Sequence, residues 1–545
     1  MNASHPRPAR VAANRSQVIS AARVGDPSGF SRLNRYVLQH QDSDTVILDA
    51  VLPFLEDVRL PSKKTFLRVN GSNSPRGQNL TRSSVNILLD VERARWSIDV
   101  IHSLCSVCPP AGGSKDEIVE KLLIRFELLL HWVNLFSVAG YIDTAAWFLL
   151  ELWKFDPKLT QRFRHSSAAM QSLLSLWTAD DPLPDNHVSR TTNPNFSPLI
   201  NLLFMLSSDE DSRDLLVAVM DGKSKNVALI ARAFQTRMKA IVSQYEKKAI
   251  SREMAVAYLL KLTQVIRDLL PCDSRQYWAR FLSREGLLYP LFGSYSSVTS
   301  LLHQDASWWL VADGVRYISH FVLGAKEYSG SPVVKMRDAI SGGVIKLLLG
   351  CLLHTPASTE EHRSTIHLLK GIAPYFMHQE VWKAASHYFL CGHVEFLPPS
   401  TAQVLSANSK DGCTAWVAFQ DTFHQADECH KRGSGESLRA HGCDNMNCQR
   451  EDWEDRHREE CSKLLPLYYC KDLHHWLPFS VKADVLAFAE DLYNRNFASA
   501  TMNANNTKYI MSDSVVCINF NDIPYVCAIV ESQKYTPPKE DLDIE

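Results

Sequence analysis

From about residue 41 to residue 400, apolar positions recur at helical spacing, and almost nothing alternates with the two-residue period of a strand. The stretch Asp44 to Glu56 sets the pattern, with Val46, Ile47, Leu48, Val51, Leu52 and Leu55 at helical spacing. The same periodicity predicts helices over 85–108, 115–138, 141–153, 158–177, 198–207, 210–220, 225–247, 251–269, 275–285, 287–293, 306–325, 334–354, 360–376 and 379–390. Residues 70–84 are rich in Asn, Gly, Ser and Arg and predict a loop, and 179–197, rich in Pro, Asp and Asn, predicts an exposed insertion. Residues 1–40 are polar and basic and predict a loosely ordered tail. The pattern changes in 466–545, where a helix over about 480–496 and strands over 514–520 and 525–530, joined by an Asn521-Asp522 turn, predict a short α+β region.

A helical stretch of this length is too large for one bundle, and stacked pairs or triples of helices are the economical way to bury it. Three places carry a glycine just before an apolar helix start. They are Ala139-Gly140-Tyr141-Ile142, Glu285-Gly286-Leu287-Leu288, and Gly342-Gly343-Val344-Ile345. Glycine there can take the left-handed conformation and turn the chain sharply into a buried helix. The motif resembles the turn into the last helix of an armadillo repeat. The fold this implies is mainly α, an armadillo- or HEAT-like α-solenoid over 41–400. The spacings of 146 and 57 residues between the three glycines are not multiples of the roughly 40–47 residues of such repeats, so the repeats would be degenerate.

Composition narrows the class. With 545 residues, 45% hydrophobic and 22% charged, the chain is expected to be globular, in several units or one long array. A net charge of -2 gives no global footprint for nucleic acid or anionic membrane. The first ten residues have no apolar core, so no secretory signal is expected. The most apolar stretch, Leu122 to Trp153, contains Arg125, Glu127, His131, Asn134, Asp143 and Glu151 and reads as two buried helices joined by a turn rather than a membrane span. Thirteen cysteines, an odd number, point to reduced thiols and to an intracellular protein of the cytoplasm or nucleus.

One cluster of those thiols has metal-ligand spacing. Between Leu438 and Leu465, Cys443, Cys448, His457 and Cys461 are spaced C-x4-C-x8-H-x3-C. Zinc favours four thiolate or imidazole ligands in a tetrahedron. His457 and Cys461 lie four apart in a stretch without Pro or Gly, so they share one face of a predicted helix. Cys448-Gln-x-x-Asp-Trp453-x3-His457-Arg-x2-Cys461 resembles the closing helix of a MYND-type zinc finger. Cys443-Asp-Asn-x-x-Cys448 resembles the opening of MYND fingers in large families of mushroom-type fungi. Those families place an amphipathic Trp/Phe helix before the finger, here Trp416, Phe419 and Phe423, and a short strand region after it, here Val515 to Pro524.

The resemblance divides the chain into a tail (1–40), an armadillo-like body (41–400), a linker helix (413–437), an abbreviated finger (438–465) and the C-terminal α+β region (466–545). It also implies a structural zinc. A full MYND finger has eight ligands in two interleaved sites. Its middle C-x2-C and Tyr-Cys step are missing here, as after an internal deletion. The four remaining ligands are halves of two different sites. They converge on one zinc or remain as free thiols on a metal-free helix. Cys413, Cys429, His430, His441 and Cys470 flank the cluster without recognised spacing, and Cys105-x2-Cys108 reads as packing.

The catalytic motifs searched for are missing: no phosphate-binding G-x4-G-K-[ST], no dinucleotide G-x-G-x-x-G after a strand, no G-x-S-x-G elbow and no H-E-x-x-H. The expected function is therefore non-enzymatic: a scaffold that binds proteins or short peptides. The alternatives are a nucleic-acid-associated regulator using Arg7, Arg10, Arg15 and Arg23, which the near-neutral charge disfavours, and a degenerate finger without metal.

Overall fold

A computed structural model describes residues 8–71, 82–109, 112–179, 197–221, 224–269, 286–299, 301, 307–323, 332–390 and 399–433, and the backbone of two strands at 514–519 and 526–531. The described chain is mainly helical. It divides into two units, one formed by Met1–Ala240 with Gln264–Ser274 and the other by Ile241–Thr263 with Arg275–Glu545.

Within the first unit, from Pro27–His40 onward, helices pack on the third helix after them. Pro27–His40 packs on Arg82–Val107, that helix on Ile142–Phe155, and that in turn on Pro198–Ser208. A second row runs Thr45–Val51, Gly113–Ile124, Pro157–Arg164, Glu210–Asp221. A third runs Lys63–Gly71, Phe126–Ala139, Ser167–Thr178. It continues to Ser224–Glu246, where Phe234 meets Trp177 with ring centroids 4.9 Å apart. Arg82–Val107 and Ile142–Phe155 run parallel: Asp99, His102 and Cys105 on the first are matched in order by Thr144, Trp147 and Glu151 on the second.

The second unit repeats the rule. Leu288–Val298 packs on Val344–His354 and that on Pro399–Asn408, Ser307–Leu323 on Glu360–Ile372 and that on Lys410–Gly433, and Pro332–Ser341 on Gln379–Leu390. The two strands, Ser514–Asn519 and Val526–Glu531, pair antiparallel with Val515 opposite Val530 and Ile518 opposite Cys527. The helix expected over 480–496 lies outside the described residues.

Local chemistry explains the helix starts. Asp44 accepts from the Val46 amide at 3.0 Å, Asp156 from Lys158 at 2.9 Å and Ser166 from Ala169 at 3.2 Å, each satisfying an amide that has no partner inside the helix. Pro27, Pro157 and Pro198 stand in first turns, where the missing N–H costs nothing. Gly140, Gly286 and Gly343 all have positive φ, at 81°, 60° and 93°, and each precedes an apolar helix as the sequence predicts.

Several sequence expectations need correction. Residues 27–40, read as part of a loose tail, form a helix with Phe30, Leu33 and Val37 fully buried. Phe30, Leu33, Tyr36 and Val37 anchor it, a short stripe that does not stand out among Ser and Arg. The stretch 115–138 is two helices bent by 67° at Arg125. The stretches 158–177 and 334–354 likewise break, at the Ser166 cap and at Gly342-Gly343. Among the described residues no single helix is long and apolar enough to cross a membrane, and the bent pair at Arg125 passes that test only when its two halves are joined.

Two constraints in the second unit generate predictions. A Cβ at Gly350 would stand 1.9 Å from the Trp308 ring, which is itself buried. Gly350→Ala is expected to lower stability by about 1–3 kcal/mol despite alanine's higher helix propensity. Trp308→Phe should recover part of that loss, read as a coupling in denaturant midpoints. The Asn408 amide donates to Leu352 O at 2.7 Å and Thr355 O at 3.1 Å. Asn408→Leu leaves those carbonyls without that donor and is expected to cost on the order of 1–3 kcal/mol in the same measurement.

Candidate functional site

The zinc-ligand candidates Cys443, Cys448, His457 and Cys461 lie outside the described residues, as do His441, Cys470, Cys272 and Cys391. The helix Lys410–Gly433 leads toward them. Its Trp416, Phe419 and Phe423 are buried, with Phe376 5.1 Å from Phe419 and Phe389 4.4 Å from Phe423 between ring centroids. Cys429 is buried in the same helix. His430 stacks on Trp382 at 4.8 Å, with Nε2 2.9 Å from Phe376 O. Cys413 accepts from Ser406 Oγ at 3.1 Å. Cys429 and His430 therefore hold the helix to its neighbours. Cys105 and Cys351 are buried thiols whose pKa burial raises, which makes them inert. Among the described residues no group of three His, Cys, Asp or Glu side chains is placed to hold a metal.

The described part does contain a groove of about 860 Å³ in the second unit. It follows the Gly342-Gly343 turn between the helices Leu288–Val298, Pro332–Ser341 and Gln379–Leu390. Left-handed Gly343 makes the turn, and a Cβ there would stand 2.9 Å from Ser296 Oγ. Bare backbone at 342–343 thus lets the three helices come together at the groove.

The electrostatics of the groove are uneven. Arg337 is committed, with Nη1 3.0 Å from Glu380 and Nη2 2.9 Å from Asp338. Lys346 Nζ donates to Ser296 O at 2.7 Å and Thr299 O at 3.0 Å, the open carbonyls at the end of Leu288–Val298. Burial pushes its pKa down. Lys383 and His387, four apart on one helix face, are exposed at the rim, as is Tyr289. Among the described residues Lys383 has no ion-pair partner. The surplus positive charge sits on Lys346 and Lys383. Such a groove has the charge to bind an anionic group.

Two further sets of ionisable groups are half-buried or buried by packing. In the first unit burial pushes the Asp99 carboxyl up to about 6, against the opposing pull of Arg95 and a hydrogen bond from Thr144. Burial raises Glu151 and lowers His102 in the same inter-helix seam. In the second unit burial, helped by the nearby His430, pushes His378 down to about 4.

No protein-family model, curated protein or solved structure matches this chain.

Sequence reading missed the groove residues Tyr289, Arg337, Lys346, Lys383 and His387. The one local signal was the Gly342-Gly343 turn, which marks where the groove forms but not which side chains reach it.

His378 generates a pH prediction. Its imidazole titrates near 6.5 when unfolded and about 4 when folded. Between those values the unfolded chain binds more protons, so stability is full above pH 6.5 and is lost as pH falls toward 4. The loss is on the order of 3 kcal/mol across the whole window. Denaturant midpoints at pH 7.5 and pH 5 should differ less for His378→Leu than for the wild type.

Proposed function

We propose that this chain is a non-enzymatic protein-interaction scaffold, with an armadillo-like α-solenoid body and an abbreviated MYND-type finger ordered around one structural zinc. The observation that carries the body reading is the recurrent packing of a helix on the third helix after it, in both units. Three parallel rows, stepped by one helix triplet, are what a three-helix repeat produces. Repeats stacked this way expose long rows of equivalent helices, which suit extended partners better than small substrates. The groove beside Gly342-Gly343 supports the same reading, because its polar groups can bind an anion but lack paired catalytic chemistry.

For the finger, the support is the donor set. Cys443, Cys448, His457 and Cys461 supply three thiolates and one imidazole, a combination that suits tetrahedral zinc in structural sites. Zinc there would order the segment without reacting, and its binding energy would become folding energy. The helix Lys410–Gly433, anchored by Trp416, Phe419 and Phe423, would give that segment a rigid base. The nucleic-acid alternative loses support at Arg15, which is tied to Asp42 at 2.6 Å and Asp44 at 2.7 Å.

Metal analysis of the purified full chain tests the finger. About one zinc per chain is expected, with loss in Cys443→Ser/Cys448→Ser, and wild-type protein without stoichiometric zinc would remove the metal. Affinity capture with the full chain tests the scaffold. Specific protein partners are expected, some of them lost in the cysteine variant. Recovery of nothing above control would end the scaffold reading, whereas a variant that keeps every partner would show that the finger is dispensable.

A further inference from the structure

We propose that the groove beside the Gly342-Gly343 turn binds an acidic segment of a partner protein, with Lys346 at its floor and Lys383 at its rim as the recognition cations. The inference rests on the scaffold reading and goes further, naming the place and the chemistry of one contact.

The argument begins with Lys346. An ammonium group has three donor protons. Two of them are directed to Ser296 O and Thr299 O, so the third remains for an acceptor in the groove that Lys346 lines. A half-buried ammonium with an open donor is a strong point for a carboxylate, because charge-assisted hydrogen bonds gain where water is partly excluded. Lys383 stands at the rim, four residues before His387 on the same helix face, and forms no ion pair among the described residues; Glu380, one turn earlier, is engaged by Arg337. Arg337 cannot take this role, since Asp338 and Glu380 already neutralise it.

The rest of the groove selects a peptide. Tyr289 is 56% exposed at the edge, a rigid apolar surface with a polar tip, and Ile340 adds apolar lining. Ser296 and Ser297 also line it. A volume of about 860 Å³ admits a few residues rather than a folded domain. A nucleic acid would require a longer basic stripe and stacked aromatic platforms. Two lysines that form no ion pair, one of them with a single open donor, one carboxylate at Glu380 and one exposed ring suit carboxylates interleaved with aliphatic side chains.

The test uses the full chain and a fluorescein-labelled (Glu-Asp-Leu)4 peptide in a polarisation titration at low and high salt. Saturable, salt-weakened binding is expected, with at least a tenfold loss in Lys383→Glu and little binding of the (Gln-Asn-Leu)4 counterpart. Lys383 is exposed, so the variant should keep the wild-type thermal midpoint. Lys346→Met provides a second loss. Equal affinity of wild type and Lys383→Glu, equal binding of the uncharged peptide, or equal competition by single-stranded DNA would each overturn the proposal. Affinity capture separates this from the parent reading: partners retained in full by Lys383→Glu and Lys346→Met would sink the groove assignment and leave the scaffold standing.

Discussion

The stacking of this protein depends on how the open carbonyls at helix C-termini find donors. The last four carbonyls of a helix have no partner within it, and burying them unpaired is costly. Here the donor repeatedly comes from the third helix along. Arg237 Nη2 donates to Trp177 O at 3.0 Å at the end of Ser167–Thr178, and its guanidinium lies 4.3 Å over the Trp177 ring. Lys346 closes Leu288–Val298, and Asn408 closes Val344–His354. Trp132 Nε1 donates to Leu55 O at 3.0 Å, and His430 reaches Phe376 O. The bonds from Arg237, Lys346 and Asn408 each fix the axial register between two helices of one row, which apolar contacts alone would leave free to slide.

That polar register works because the helices themselves are too apolar to stand at a surface. Ile142–Phe155 buries Ile142, Ala145, Ala146, Phe148, Leu149, Leu150, Leu152, Trp153 and Phe155, which between them point in nearly every direction around the helix. A helix apolar all round must be enclosed by neighbours. It finds them in its own row, in Phe126–Ala139 and Ser167–Thr178, and in Pro157–Arg164. The less apolar Pro157–Arg164 buries only Leu159 and Phe163 and lies at the edge. The same division between enclosed and edge helices gives the groove its character. Val344–His354 is buried almost throughout, while Lys383 and His387 face outward from a neighbouring helix.

The ionisable groups follow from this packing rather than from catalysis. Asp99, His102 and Glu151 lie in the seam between two parallel helices, where burial shifts each toward its neutral form. His378 is the same effect carried further by a neighbouring histidine. The two classes respond to pH in opposite directions: His102 and His378 resist protons that the unfolded chain accepts and lose stability in acid, whereas Asp99 and Glu151 hold a proton more readily when folded and lose stability as pH rises.

The sequence by itself determined the helices, their caps and the three left-handed glycine turns, because these depend on residues a few positions apart. It also determined the thiol and imidazole spacing at Cys443, Cys448, His457 and Cys461, which stands on sequence alone. It misjudged 27–40, where Phe30, Leu33, Tyr36 and Val37 suffice once Arg82–Val107 lies against them, and it ran helices together at Arg125 and Ser166, where the periodicity continues through the break. Only the tertiary structure decided that helices pack on the third after them in row after row. It also decided that Lys346 serves the carbonyls of residues 47 and more positions away, and that Lys383 and Tyr289 share a groove. Those facts depend on which helix faces meet across 50 residues or more, and helical periodicity marks a buried face without naming its partner.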